Sequence, residues 1–170
     1  MATIPASFVD ETTVIDYQKG DYARTVVICV DNSEVSAHAV KWAADHVLRP
    51  EDLIVFLHCH PPYLLEQEAL GLKENAKQIL LSRASLLPPE FSKVRAISLL
   101  DAAIGFRLFT KITEISPEFV VCGTRGEGPL SKALHGSVSD YLVHTVAKTT
   151  ETVRQPEYVR AYQDMVGKIV

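Results

Sequence analysis

Residues 121–139, Val121-Cys122-Gly123-Thr124-Arg125-Gly126-Glu127-Gly128-Pro129-Leu130-Ser131-Lys132-Ala133-Leu134-His135-Gly136-Ser137-Val138-Ser139, carry the clearest chemical signal in this chain. The run begins as the end of an apolar strand, becomes a glycine-rich loop and closes on a helix start. Gly123 and Gly126 let backbone N–H groups approach a ligand with no Cβ in the way. At Gly136, Ser137 and Val138 a new helix offers unpaired N–H groups and the positive end of its dipole. A loop of this kind leading into a helix N-terminus suits an anion, most often phosphate. Arg125 and Lys132 add positive charge at the rim, and the Ser137 hydroxyl can donate to a phosphate oxygen or cap the helix. No Gly-Lys-Ser/Thr follows at P-loop distance. The glycines also come too late in the chain for a dinucleotide fingerprint, which follows the first strand.

The elements around this loop set its position. Arg24–Val30, Leu53–Cys59, Val94–Leu100 and Glu118–Cys122 are short apolar runs, the mark of strands buried on both faces. Between them, Val35, Ala39, Trp42, Ala43 and His46 recur at helical spacing. Leu65, Ala69, Leu72, Ala76, Ile79 and Arg83 form a second stripe, and Ile104, Leu108, Ile112 and Ile115 a third. A fourth helix is expected from Ser137, with Val138, Tyr141, Leu142 and Val146 on one face. Strands alternating with amphipathic helices predict an α/β fold: one doubly wound parallel sheet of about five strands, flanked by helices. Residues 1–23 show no period and are expected as an N-terminal extension. Residues 24–154 form the expected nucleotide-binding domain, and 155–170 a helical tail with Val159, Tyr162, Val166 and Ile169 on one stripe.

The two-residue gap between Gly123 and Gly126, followed by nine residues to Gly136-Ser137, resembles the ATP-binding signature of the universal stress protein family. Val30-Asp31-Asn32-Ser33 is similar to that family's Val-Asp-Gly-Ser after the first strand, with one Gly-to-Asn change. Leu57-His58-Cys59 is similar to its Leu-His-Val at the end of the second. The resemblance spans roughly residues 25–147 and implies an adenine nucleotide alpha-hydrolase-like fold that binds ATP, ADP or AMP, with or without magnesium. It implies that Asp31 accepts from a ribose hydroxyl, that the Cys59 backbone meets adenine, and that Gly123, Gly126, Gly136, Ser137 and Val138 hold phosphates. Cys29, Val30, Cys122, Arg125 and Ser139 complete the candidate set. It also implies a stress-response regulatory module that forms a homodimer through its last strand. Here that stretch reads Ala147-Lys148-Thr149-Thr150-Glu151-Thr152-Val153-Arg154, more polar than the family's aliphatic run and lacking its proline.

Rival chemistries are weaker. Asp31 can be read more plainly as a cap for the first helix. His58 and His60 point the same way on an extended segment, but no third metal ligand follows at convincing spacing. Asp31, Asp101, Thr124 and Lys148 fall in the order of a phosphorylated receiver domain, which shares the layered fold, yet the pair of acids after the first strand is missing. No nucleophile elbow or acid pair stands out, so at most slow ATP hydrolysis is expected. The net charge of −4, without a basic run, disfavours nucleic acid. No apolar stretch reaches membrane-spanning length, and no secretory or transit segment is evident. Three cysteines in apolar runs fit reduced core thiols, so a cytoplasmic protein is expected.

Overall fold

The computed structural model describes residues 11–62, 66–123, 149–153, 162–163 and 168–169. Its elements are β1 (Glu11–Ile15), β2 (Arg24–Cys29), α1 (Glu34–His46), β3 (Asp52–His60), α2 (Glu66–Ala84), β4 (Val94–Leu100), α3 (Ile104–Ile115), β5 (Phe119–Gly123), β6 (Thr149–Val153), β7 (Tyr162–Gln163) and β8 (Lys168–Ile169). The main sheet runs β1-β4-β3-β2-β5-β6. Strands β4, β3, β2, β5 and β6 are parallel, giving the five-stranded parallel sheet expected, and β1 adds an antiparallel edge against β4.

Alternation along the strands divides the core in two. Val26, Ile28, Val30, Ile54, Phe56, Ala96 and Val121 meet Ala39, Val40 and Trp42 of α1 and Ile79 and Leu80 of α2. On the opposite face, Val27, Leu53, Val55, Leu57, Ile97, Leu99 and Val120 meet Leu108 and Ile112 of α3. Helices therefore cover both faces, which is why the strands read as unbroken apolar runs.

Polar contacts fix the ends of the elements. Arg24 opens β2 and donates from Nε to Asp52 Oδ1 at 2.7 Å and from Nη2 to Asp52 Oδ2 at 2.9 Å. Its Nη2 also donates to the Val47 carbonyl at 2.5 Å, and the guanidinium lies 4.9 Å from the Phe119 ring centroid. Asp52 is 1% exposed and also accepts from the Arg49 N–H at 2.7 Å.

Two segments differ from expectation. Residues 11–15 lack a clean period because they form an edge strand, half-buried at most and bulged between Thr13 and Ile15. Besides the ladder to β4 and the packing of Val14 and Ile15 on the core, charge ties them down: Glu11 accepts from Arg107 at 3.3 Å and from Lys111 at 2.7 Å, and Asp16, just past the strand, lies 3.5 Å from Arg95. The helical tail expected over 155–170 is not the structure of its described part, where Tyr162 pairs with Ile169 and Gln163 with Lys168 in an antiparallel ladder. Gly167 costs a helix about 1 kcal/mol relative to alanine, and Tyr and Ile favour the extended state. The helix expected from Ser137 lies outside the described residues.

Candidate functional site

The chain runs from β2 through β3 to β4 on one side of the sheet, then crosses to β5 on the other side of β2. The strand order therefore reverses between β2 and β5, where open α/β sheets form a ligand crevice beyond their carboxyl ends. Cys29 of β2 pairs in register with Cys122 of β5, so Val30 and Gly123 leave the sheet side by side and Asp31 follows one residue on. Thus Cys29, Val30, Asp31, Cys122 and Gly123 meet at one edge, and Cys59 ends the neighbouring strand β3. Arg125, Gly126, Gly136, Ser137, Val138 and Ser139 lie outside the described residues.

Asp31 is locked into a tight turn. Its Oδ1 accepts from the Ser33 N–H at 2.8 Å and from the Ser33 hydroxyl, while its own N–H donates to Ser36 Oγ at 3.0 Å. The cap of α1 is Ser33, whose Oγ accepts from the Ser36 N–H at 3.1 Å. Asp31 is therefore not the cap, and its carboxylate positions the residue that is. Arg83, at the end of α2, donates to the Ser33 carbonyl at 3.1 Å. Helical spacing marked Arg83 only as part of a stripe and carried no sign of this reach.

His58 steadies the same corner. Its Nδ1 lies 2.9 Å from the Val30 carbonyl. A carbonyl only accepts, so Nδ1 carries the proton and Nε2 of the neutral ring is an acceptor. Burial pushes the His58 pKa down; the Val30 carbonyl and Asp31 oppose that shift, and His60 adds to it. The two imidazoles stack with centroids 6.0 Å apart, on one face as strand alternation predicts. Among the described residues, no group of three His, Cys, Asp or Glu side chains is placed to hold a metal.

Gly123 has a packing role of its own. A Cβ built there would fall 2.7 Å from Val35 Cγ1 and 3.0 Å from the Val35 carbonyl oxygen. Glycine is what lets the end of β5 touch the first turn of α1.

Cys29, Cys59 and Cys122 form no disulfide and are buried on the α3 face of the sheet. Burial pushes Cys29 well up, with Cys122 and Cys59 adding to the shift. Cys59 is pushed up to about 11 by burial and by the Asp101 carboxylate, partly offset by Arg107 and an Asp101 backbone hydrogen bond.

The receiver arrangement fails on topology. Strand β3 lies between β2 and β4, so Asp31 and Asp101 leave non-adjacent strands. Receiver folds place their third strand beside the first. Asp101 instead accepts from the Ala103 N–H at 2.8 Å ahead of α3.

The universal stress protein family's sequence profile matches residues 23–99. Universal stress protein PHOS32 of Arabidopsis thaliana is 31% identical over 79% of this chain and 66% of its own length. Residues 23–99 of this chain belong to the universal stress protein family. The chain spans just under two thirds of that curated relative. The fold agrees with a universal stress protein solved in complex with cAMP, at a TM-score of 0.61 and 18% identity over 81% of this chain and 98% of that one. It also agrees with a universal stress family protein from Arabidopsis thaliana with AMP bound, at a TM-score of 0.58 and 16% identity over 78% and 92%. Among the described residues of this chain, no helix is long and apolar enough to cross a membrane.

Proposed function

We propose that the chain binds an adenine nucleotide in the crevice between the ends of β2 and β5 and serves as a stress-response regulatory module in the cytoplasm. The observation that carries this reading is the exit of Val30-Asp31 beside Gly123 at the reversal of strand order. One edge of the crevice offers a carboxylate for ribose. The other opens the 123–139 glycine loop, whose N–H groups suit phosphates. Relatives of the same fold crystallised with cAMP and AMP support adenine as the base.

Binding without turnover fits the residues best. Among the described side chains near the crevice, Asp31 is engaged with Ser33, and the His58 Nδ1 proton is committed to the Val30 carbonyl. Asp31 is thereby held in its turn, and burial weakens His58 Nε2, the acceptor that remains, as a base for an attacking water. Calorimetric titration with ATP, ADP, AMP and cAMP, alongside a count of phosphate released per protein, tests both halves. The expected result is saturable binding that weakens at least about tenfold, or about 1.4 kcal/mol, in Gly136→Val, with under about one turnover per minute. Unchanged affinity in a folded Gly136→Val protein would remove the phosphate-loop reading, and faster turnover would make the protein an enzyme.

A further inference from the structure

Arg83 is the basic residue in the last turn of α2. A cation there ordinarily serves its own helix, whose last carbonyls carry the negative end of the dipole. Here the guanidinium crosses to α1, 50 residues back in sequence, and Nη2 donates to the Ser33 carbonyl at 3.1 Å. Nη1 donates to Ser82 Oγ at 3.3 Å, and Nε is buried with no hydrogen-bond partner. A buried N–H left unpaired is costly, so this placement has to be explained by something other than the end of α2.

The Ser33 carbonyl does not need the donor. It belongs to the cap of α1 and already accepts from the Ala37 N–H at 3.3 Å. The added bond instead fixes Ser33 against α2. Ser33 in turn directs both its N–H, at 2.8 Å, and its hydroxyl at Asp31 Oδ1. Two donors on one oxygen set the plane of the carboxylate, and with it the direction in which Oδ2 faces. A chain of hydrogen bonds thus runs from α2 through Ser33 to the edge of the crevice suited to ribose. We infer, on the nucleotide reading of that crevice, that Arg83 is a positioning residue for ribose recognition: through Ser33 it holds the Asp31 carboxylate in the orientation that accepts from a sugar hydroxyl.

Calorimetric titration of the full chain with AMP and with 2′,3′-dideoxy-AMP, which lacks both ribose hydroxyls, separates the sugar from the base and phosphate. The parent is expected to prefer AMP at least about tenfold. Arg83→Met keeps the apolar stem and removes the donors, and Arg83→Gln stays polar but is too short to reach Ser33. In each, AMP should weaken at least about fivefold while dideoxy-AMP changes less than about twofold, so most of the preference is lost. In an Asp31→Ala background, Arg83→Met should alter AMP affinity by less than about twofold, because the group it positions is gone. A folded variant that keeps the parent's preference, an equal loss for both nucleotides, or a full Arg83→Met effect without Asp31 would each overturn the positioning role and leave the nucleotide reading standing. A parent that binds AMP and dideoxy-AMP alike, or binds neither, would remove the ribose reading and this role with it.

Discussion

Gly123→Ala distinguishes two reasons for a glycine at the mouth of the crevice. Carbon–carbon contacts settle near 3.5–4.0 Å. A new Cβ 2.7 Å from Val35 Cγ1 and 3.0 Å from the Val35 oxygen therefore overlaps both a side chain and a backbone. Valine in a helix has one strongly preferred rotamer, so Cγ1 cannot swing aside at little cost. Moving α1 instead would disturb Ala39 and Val40, which are fully buried beneath it. Overpacking of this kind costs about 1–3 kcal/mol. The glycine φ is not positive, so alanine also recovers about 0.4–1 kcal/mol by restricting the unfolded chain. A net loss of about 1–2 kcal/mol follows, seen in urea denaturation as a lower midpoint with an unchanged slope.

A double-mutant cycle with Val35→Ala makes the reasoning refutable. Alone, Val35→Ala removes two buried methyl groups and should cost about 1–2 kcal/mol. In the Gly123→Ala background the added Cβ occupies part of that space, so the two losses should fall short of additive by about 1 kcal/mol or more. Nucleotide titration of the same variants supplies the second axis. If Gly123→Ala is neutral in stability, adds simply with Val35→Ala and loses affinity only, glycine is there for the ligand and the packing account is wrong.

The remaining predictions concern charge, protons, thiols and assembly. Arg24→Ala strands the nearly inaccessible Asp52 carboxylate and should cost about 3–5 kcal/mol, whereas the apolar pair Arg24→Met with Asp52→Leu should recover much of that loss in denaturant titrations. The lowered His58 pKa means the unfolded chain takes up a proton first; stability should be whole above the ordinary histidine value of about 6.5 and fall as pH drops towards the lowered folded value. Subtracting the pH profile of His58→Asn from that of the parent should isolate this slope, and parallel profiles would reject it. Alkylation of native Cys59 at pH 7.5 should be at least about a hundredfold slower than that of an open-chain cysteine, and peptide-resolved mass spectrometry showing a comparable rate would mean the thiol is more open than its burial implies. Light scattering tests the expected homodimer, for which a monomer mass at tens of micromolar is the refuting result.

The legible parts of the fold were those where burial dictates sequence. Val26–Cys29, Leu53–Cys59, Ala96–Leu99 and Val120–Cys122 are covered on both faces, so their apolar runs identify them, and the helices between them carry a one-sided stripe. Strand β1 was illegible because it is half-buried at most and tied by ion pairs to Arg95, Arg107 and Lys111, partners some 80–100 residues away that no local window joins. In the crevice, Asp31 and Gly123 were legible as types in an order. Their partners were not: Arg83 and His58 reach Ser33 and Val30 through the tertiary fold, and the tight fit of Gly123 depends on the first turn of α1.

That first turn is where the separate contacts converge. Val35 bears on Gly123 at the end of β5, Ser36 accepts from the Asp31 N–H beyond β2, and the Ser33 carbonyl takes a hydrogen bond from Arg83 of α2. The two edges of the crevice, one suited to ribose and one to phosphate and already paired through Cys29 and Cys122, are thus also braced against a single helical turn. Ser36 is 4% exposed, so its hydroxyl reaches the crevice only through Asp31. Ser36→Ala removes that acceptor, leaves the Ser33 cap in place, and should reduce nucleotide affinity about three- to tenfold while costing about 1 kcal/mol of stability. A variant that loses stability but keeps full affinity would mean the turn supports the fold alone; a loss in both would make α1 the element that holds the two halves of the site in register.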